Sequence, residues 1–133
     1  MRAELTIPAL DLGVVTADAE RSLAFYRDTL GLVPDGEVTF PGLGVLHRLR
    51  CGHSTVKLLA LERAPAARAP RGGFSASTGF RYCTLHVANL DAVVGACRER
   101  GYAIPVDARP LRPGVRVAMV EDPDGNTLEL IGA

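Results

Sequence analysis

The sequence predicts an α+β fold built from two tandem βαβββ modules. Residues 11–34 overlay residues 82–105 at an offset of 71, and the segment 44–61 matches the segment 114–131 within two residues. In both halves a strand-like segment precedes a helical pattern, which a short strand and a hairpin follow. A repeat of this length indicates that one structural unit has been duplicated.

Length and composition place the chain among ordinary globular proteins. It has 133 residues, of which 47% are hydrophobic and 23% are charged, as in a single domain with its own core. Fifteen basic and fifteen acidic residues cancel, so no overall field favours nucleic acid or an acidic membrane. No apolar run approaches the ~20 residues of a membrane span, and residues 1–4 do not resemble a signal peptide. We expect a cytoplasmic protein without nucleic-acid or membrane partners.

The three cysteines, Cys51, Cys83 and Cys97, are odd in number and form no C-x-x-C motif. We expect free thiols in a reducing cytosol rather than a disulfide or a metal site.

The first module is expected to begin with a strand over residues 10–16. Asp18 is a good N-cap for a helix over residues 19–30, which Gly31 ends. A short strand over residues 36–40 follows. Segments 44–51 and 54–61 then form a hairpin around Gly52 and His53.

A segment over residues 62–79, rich in proline and glycine, has no periodicity and is expected to be a linker or mobile flap. The second module then repeats the pattern, with a strand over residues 80–87 and a helix from residue 90 to about residue 100, capped by Asn89. A short edge strand over residues 104–106 precedes a closing hairpin. Its turn, residues 122–126, reads Asp-Pro-Asp-Gly-Asn.

Segments 22–31 (SLAFYRDTLG) and 122–130 (DPDGNTLEL), together with the repeat, resemble the vicinal oxygen chelate superfamily. This is the glyoxalase, bleomycin-resistance and extradiol-dioxygenase group, and the resemblance covers about residues 9–131. It implies that each module curls into half of an open, cup-shaped mixed β-barrel with the helices outside. One domain, residues 1–133, would comprise module one (about 9–61), the linker (62–79) and module two (80–131). Many members are homodimers, so a homodimer is expected.

The enzymes of this family bind one divalent metal with four side chains, mainly His, Glu or Gln. By resemblance, the corresponding positions here are Asp11, Lys57, Tyr82 and Glu129. Only Glu129 matches the pattern, although Asp11 is a shorter carboxylate. Lys57 is the decisive departure, because an ammonium group has no lone pair and repels a divalent cation. We therefore expect no intact four-ligand site; if a metal site persists, Asp11 and Glu129 are its ligands.

Because side chains alternate between the two faces of a strand, the sequence also indicates which residues share a face with the four ligand positions. Because the turn at Gly52 and His53 has two residues, Lys57 is expected to lie opposite Arg48. The predicted ligand-binding residues are Arg48, Lys57, Tyr82, His86 and Glu129.

Each of these residues has alternative interpretations. Lys57 and Glu129 would neutralise each other as a structural pair, or Lys57 and Arg48 would bind an anionic group of a small molecule; a nucleophilic or general-base Lys57 is a third alternative. His86 is a proton-transfer group or a hydrogen-bonded lining residue. Tyr82 donates a hydrogen bond to a ligand or packs as part of the wall.

Three functions follow from these alternatives. The first is a small-molecule-binding protein of the sequestering or sensing kind, whose ligand is organic and anionic or aromatic. The second is a metal-dependent lyase, isomerase or dioxygenase that uses Glu129 and Asp11, with His86 and Glu129 as catalytic candidates. The third is a non-catalytic interaction module whose cup is filled by its own side chains.

Overall fold

The computed structural model describes all 133 residues and contains eight β-strands, two α-helices and one π-helical turn. The chain divides into two compact units, residues 1–66 and 67–133, and the boundary falls inside the predicted linker. Each unit has a four-stranded mixed sheet that is open rather than closed into a barrel. The α+β class and the tandem βαβββ modules are therefore confirmed.

Module one has the strand order β1-β4-β3-β2, in which β1 pairs parallel with β4 and the other pairs are antiparallel. The predicted hairpin 44–61 is confirmed residue for residue, while the strand expected over 36–40 begins three residues earlier, at Val33. The elements are β1 (Leu12–Thr16), α1 (Ala19–Leu23), a π-helical turn (Ala24–Thr29), β2 (Val33–Phe40), β3 (Gly44–Cys51) and β4 (Ser54–Leu61).

The helix predicted over residues 19–30 is α-helical only in its first half. Asp18 caps α1 as expected, because its carboxylate accepts the backbone N–H of Arg21 at 3.1 Å. The second half widens into the π-helical turn, in which the backbone N–H of Leu30 donates to the carbonyl of Phe25. Phe25 and Tyr26 are both buried there, packed edge to face with ring centroids 4.9 Å apart.

One face of the module-one sheet is covered by the helical segment and the other is not. Val14, Thr16, Leu49 and Leu58 alternate along their strands on the covered face, and all four are buried. The intervening residues of β1 are exposed. We call the uncovered side of each sheet the open face of its module.

Module two has the equivalent strand order β5-β8-β7-β6, with β5 and β8 parallel. The expected linker contains no helix or strand. The elements are β5 (Tyr82–Val87), α2 (Leu90–Glu99), β6 (Val106–Arg112), β7 (Val115–Glu121) and β8 (Thr127–Gly132). No helix in the structure combines the length and the apolar character needed to cross a membrane.

Two details of module two differ from the prediction. Asn89 occupies the N-cap position of α2, but its side chain makes no capping hydrogen bond. The edge strand does not lie over residues 104–106; it begins at Val106 and runs for seven residues through Pro110. Proline is tolerated there because β6 is the outermost strand, and the register shifts on either side of it absorb the missing donor.

The core of module two lies between α2 and the sheet. Leu90, Val94 and Cys97 form the buried stripe of the helix, and burial raises the pKa of the Cys97 thiol. At the surface, the Arg116 guanidinium donates to Asp91 at 2.9 Å, and this hydrogen bond lowers the pKa of that carboxyl. None of the three cysteines forms a disulfide, as predicted.

The turn of the closing hairpin is stabilised by one buried carboxylate. Asp122 is 4% exposed and accepts the backbone N–H of Asp124 at 2.9 Å and that of Asn126 at 2.8 Å. It also accepts the Asn126 side-chain amide at 2.9 Å, and Gly125 adopts the positive φ of 88° that the turn needs. The turn predicted from Asp-Pro-Asp-Gly-Asn is therefore confirmed.

The duplication is visible in the structure, with one refinement. The two helices begin at Ala19 and Leu90, which are 71 residues apart as in the sequence overlay. The glycines that end them, Gly31 and Gly101, have φ of 78° and 80° but are only 70 residues apart. Module one therefore has one more residue in this helical segment, and the π-helical turn lies there.

Candidate functional site

The open face of module one brings three of the predicted residues together. Lys57 lies opposite Gly13 in the parallel ladder and opposite Arg48 in the antiparallel one, so the predicted pairing of Arg48 with Lys57 is confirmed. The Lys57 ammonium lies 3.2 Å from the Asp11 carboxylate. The other oxygen of Asp11 accepts the backbone N–H of Thr55 at 3.2 Å, which fixes that side chain at the end of the strand pair.

These charges are accessible to solvent and only partly compensated. The side chain of Lys57 is 37% exposed and that of Asp11 is 45% exposed. Arg48 takes part in none of the ion pairs of the structure. Like charges that face each other across a ladder destabilise a sheet, and a single carboxylate offsets only one of the two here. The face therefore carries local positive charge that an anion would relieve.

An apolar area lies beside this charged row on the same open face. One row of this area crosses all four strands and consists of Val15, Leu59, Leu46 and Val38. The next row contains Leu61 and Phe40, on either side of Gly44. This apolar area was not predicted, because it depends on the register of β2 with β3 and on the irregularity between Pro34 and Glu37.

The open face of module two carries the remaining predicted residues. Thr84 and Glu129 lie opposite each other, and the Thr84 hydroxyl donates to the Glu129 carboxylate at 2.8 Å. Tyr82 is 53% exposed and packs edge to face against Phe74, with ring centroids 5.9 Å apart. His86 is exposed and lies opposite Ile131. These side chains lie in successive rows of one surface rather than in a single cluster.

The registers also establish which residues of the two modules correspond. Lys57 is opposite Gly13, and Glu129 is opposite Thr84, which lies 71 residues after Gly13. Lys57 is therefore the module-one counterpart of Glu129. Each has a partner inside its own module, Asp11 for Lys57 and Thr84 for Glu129, so a mutual pair is not needed to account for either charge.

The four positions of the family's metal ligands do not carry a set of donors that fits a divalent metal. Lys57 has no lone pair to donate, and its positive charge is already held against Asp11. A tyrosine phenol is an unusual ligand for such a metal, which leaves Glu129 as the one position of the usual ligand type.

A separate polar cavity of about 360 Å³ lies in module two, between the linker and the turn of the closing hairpin. Asp122, one of its acidic lining residues, has its carboxylate committed to the turn itself. This cavity was not predicted, because the linker has no periodicity that would indicate its structure. The cavity is lined by residues 68–73 and 121–125, which include two arginines and three acids.

Comparison with known proteins agrees with this architecture. Residues 9–130 match the model of the glyoxalase/bleomycin resistance protein/dioxygenase superfamily. A relative named "Probable lactoylglutathione lyase" from Synechocystis is 27% identical over 122 residues, which cover 86% of each chain.

Two solved structures show the same fold at low sequence identity. A glyoxalase family protein from Bacillus cereus gives a TM-score of 0.85 at 14% identity, covering 98% of this chain and 96% of its own. The trypanothione-dependent glyoxalase I of Leishmania major gives 0.71 at 20% identity, covering 92% of this chain and 84% of its own. With 122 of its 133 residues matched by the family model and its two βαβββ modules in place, the chain belongs to the glyoxalase/bleomycin resistance protein/dioxygenase superfamily.

Proposed function

We propose that this chain is a small-molecule-binding protein, in which Lys57 and Arg48 bind the anionic group of an organic ligand without a four-ligand metal site. One observation carries the proposal: two cationic side chains face each other on an accessible sheet surface, and only one of them has an acidic partner. Facing cations cost stability when nothing lies between them, so a purely structural role does not explain the arrangement.

The chemistry of the two cations suits a carboxylate, phenolate or phosphate. The ammonium group of Lys57 has three N–H donors, and the contact with Asp11 leaves others for a ligand. The Arg48 guanidinium presents a planar fork that binds two oxygens of an anion at once. Hydrogen bonds between charged partners are roughly twice as strong as neutral ones, so these two side chains would supply most of the polar binding energy.

The proposal extends to polar contacts on the open face of module two. Tyr82 offers a phenolic O–H donor, His86 an exposed imidazole, and Glu129 a carboxylate oriented by Thr84. On that face these groups suit the hydroxyl or amide groups of a small molecule better than an anionic group, because Glu129 would repel an anion.

Thermal shift with small carboxylates, phenols and phosphate esters tests the proposal, since a ligand that binds only the folded state raises the melting temperature. Lys57→Met and Arg48→Met should each reduce the shift, because each removes one cation from the face. Arg21→Met, which removes the same charge from the surface of α1, is the matched control and should bind as well as the unaltered protein. Equal shifts in all four proteins would contradict the assignment of the site.

A second candidate function is a metal-dependent lyase, isomerase or dioxygenase that uses Glu129 and Asp11, with His86 and Glu129 as catalytic candidates. The observation that favours it is the 27% identity with the relative from Synechocystis. Elemental analysis after growth with added metals, together with an assay of lactoylglutathione lyase activity, distinguishes the two functions. Stoichiometric metal and turnover that are both lost in Glu129→Gln would establish the enzyme and overturn our preferred function.

We also propose that the chain forms a homodimer in the cytoplasm, as the family resemblance implies. Light scattering coupled to size-exclusion chromatography measures the mass of the protein in solution, and a mass near 14.1 kDa, that of one chain, would refute the homodimer.

A further inference from the structure

We infer that the ligand of module one is an amphipathic carboxylate, an acid group on an extended apolar body. This inference rests on the proposed function and adds the chemical class of the ligand. It places the carboxylate at Lys57 and Arg48 and the apolar body along the open face toward Phe40.

The open face of module one changes from charged to apolar along its strands. Lys57 and Arg48 lie in one row across the strands, which we call the cationic row. The next row contains Val15, Leu59 and Leu46, and the row after it contains Leu61 and Phe40. In the opposite direction the next row contains Thr55, Arg50 and Val33, and Asp11 is hydrogen-bonded to Thr55. Val33 is the one apolar residue of that row. The continuous apolar surface therefore lies on one side of Lys57 and Arg48, the side toward Phe40.

The apolar rows are exposed enough to gain from being covered. Val15 is 49% exposed, and Val38 and Phe40 are each 42% exposed. Successive rows on one face of a sheet are two residues apart, so two apolar rows extend about 13 Å beyond the cationic row. An inorganic anion would leave this surface in water, whereas an apolar chain of that length would cover it.

The position of the acid group has room for a ligand. Gly13 lies beside Lys57 in the parallel ladder, and a Cβ added at Gly13 would meet no atom within 4 Å. A side chain at that position would fill space next to the ammonium group. Gly13 is also not in a positive-φ conformation, so larger residues fit the backbone there.

Module two provides an internal comparison, because it has the same registers and different side chains. Glu129 replaces Lys57, and Met119, which lies opposite Glu129, replaces Arg48. A carboxylate would be repelled by Glu129 instead of attracted. Of the two modules, only module one therefore carries cations at these positions. For this reason we place the acid group of the ligand in module one alone.

The single lysine makes the experiment direct. Reductive methylation with ¹³C-formaldehyde keeps the charge and labels only Lys57 and the N-terminal amine, so the Lys57 signal can be followed by NMR. Octanoate is the test ligand, acetate has the head without the tail, and 1-octanol has the tail without the charge. We expect octanoate to shift the Lys57 signal and to bind at least about tenfold more tightly than either, because each buried CH₂ adds to the binding free energy.

Two substitutions at Gly13 separate blocking from unfolding. Gly13→Phe should lose octanoate binding, because the ring fills the space beside Lys57, while Gly13→Ala should retain it. Circular dichroism of both variants should match the unaltered protein, since nothing lies near the added Cβ.

The results separate this inference from the proposed function. Acetate or inorganic phosphate binding as tightly as octanoate would overturn the amphipathic ligand and leave an anion site. Octanoate binding unchanged in Lys57→Met would place the carboxylate elsewhere and overturn this inference as well. No perturbation of Lys57 by any anion would overturn the proposed function itself.

Discussion

The ion pair between Lys57 and Asp11 should contribute little to stability, and this separates a ligand-binding lysine from a structural one. We consider Lys57→Met, Asp11→Asn and the double variant. Asparagine retains an oxygen that can still accept the Thr55 N–H, so this set removes the charges and leaves the hydrogen bond to the backbone. The change in free energy of unfolding that is not additive between the two sites is the coupling energy of the pair.

The expected magnitude follows from exposure. With side chains 37% and 45% exposed, the pair is screened by water, and exposed pairs contribute about 0.2–1 kcal/mol. Breaking a buried pair costs about 3–5 kcal/mol instead, because a charge is left without a partner in a medium of low dielectric constant. The two cases are therefore well separated.

Urea denaturation followed by circular dichroism measures the coupling, since the chain contains no tryptophan to report by fluorescence. From the four proteins of the cycle we expect one coupling energy below about 1 kcal/mol, which decreases further with added salt. A coupling of about 3 kcal/mol or more would show that Lys57 is a structural residue and would refute the reasoning that it is available to a ligand.

Three further predictions concern parts of the fold outside the candidate site. Gly132→Ala should lower the free energy of unfolding by about 1–3 kcal/mol, because its Cβ would lie 2.2 Å from the Val87 carbonyl oxygen. Gly95→Ala, with nothing within 4 Å of its Cβ, should raise the free energy of unfolding by about 0.5–1 kcal/mol. Urea denaturation compares the two variants, and equal effects would contradict the close strand packing at Gly132. Asp122→Ala should cost about 2–4 kcal/mol in the same measurement, because the carboxylate is 4% exposed and accepts three hydrogen bonds, and a loss below about 1 kcal/mol would contradict its role in the turn. At pH 8, Cys97 should be alkylated at least about tenfold more slowly than the half-buried Cys51 and Cys83, because burial raises the pKa of its thiol. Mass spectrometry after limited iodoacetamide treatment measures the three rates, and equal rates would contradict this prediction.

The regular elements were predictable because local chemistry determines them. The hairpin around Gly52 and the turn at Asp122 follow from short-range signals, in which glycine supplies positive φ and a carboxylate binds nearby N–H groups. The errors occurred where tertiary packing overrides local preference. The edge strand that passes through Pro110 is one example, since its outermost position makes the missing N–H harmless.

The candidate site was predicted in part. The facing of Arg48 and Lys57 follows from the length of one turn, so it could be obtained from the sequence. The partner of Lys57 could not, because Asp11 comes close only through the parallel pairing of β1 with β4, two strands separated by 37 residues of intervening chain, from residue 17 to residue 53. Parallel neighbours leave no local signal of register. The family resemblance had placed Asp11 and Lys57 at one site, and the structure supplies the contact between them.

The π-helical turn of module one has a consequence for how the two halves have diverged. An insertion inside an α-helix would normally rotate every later side chain by about 100° and misplace the buried face. Here the extra residue falls in a segment with one widened turn, and that segment still begins at Ala19 and ends at a positive-φ Gly31, as the other begins at Leu90 and ends at Gly101. The helix has thus absorbed a change in length without passing it on to the sheet. The strand β4, which carries Lys57, and the strand β8, which carries Glu129, keep the same register against their parallel partners while their side chains differ.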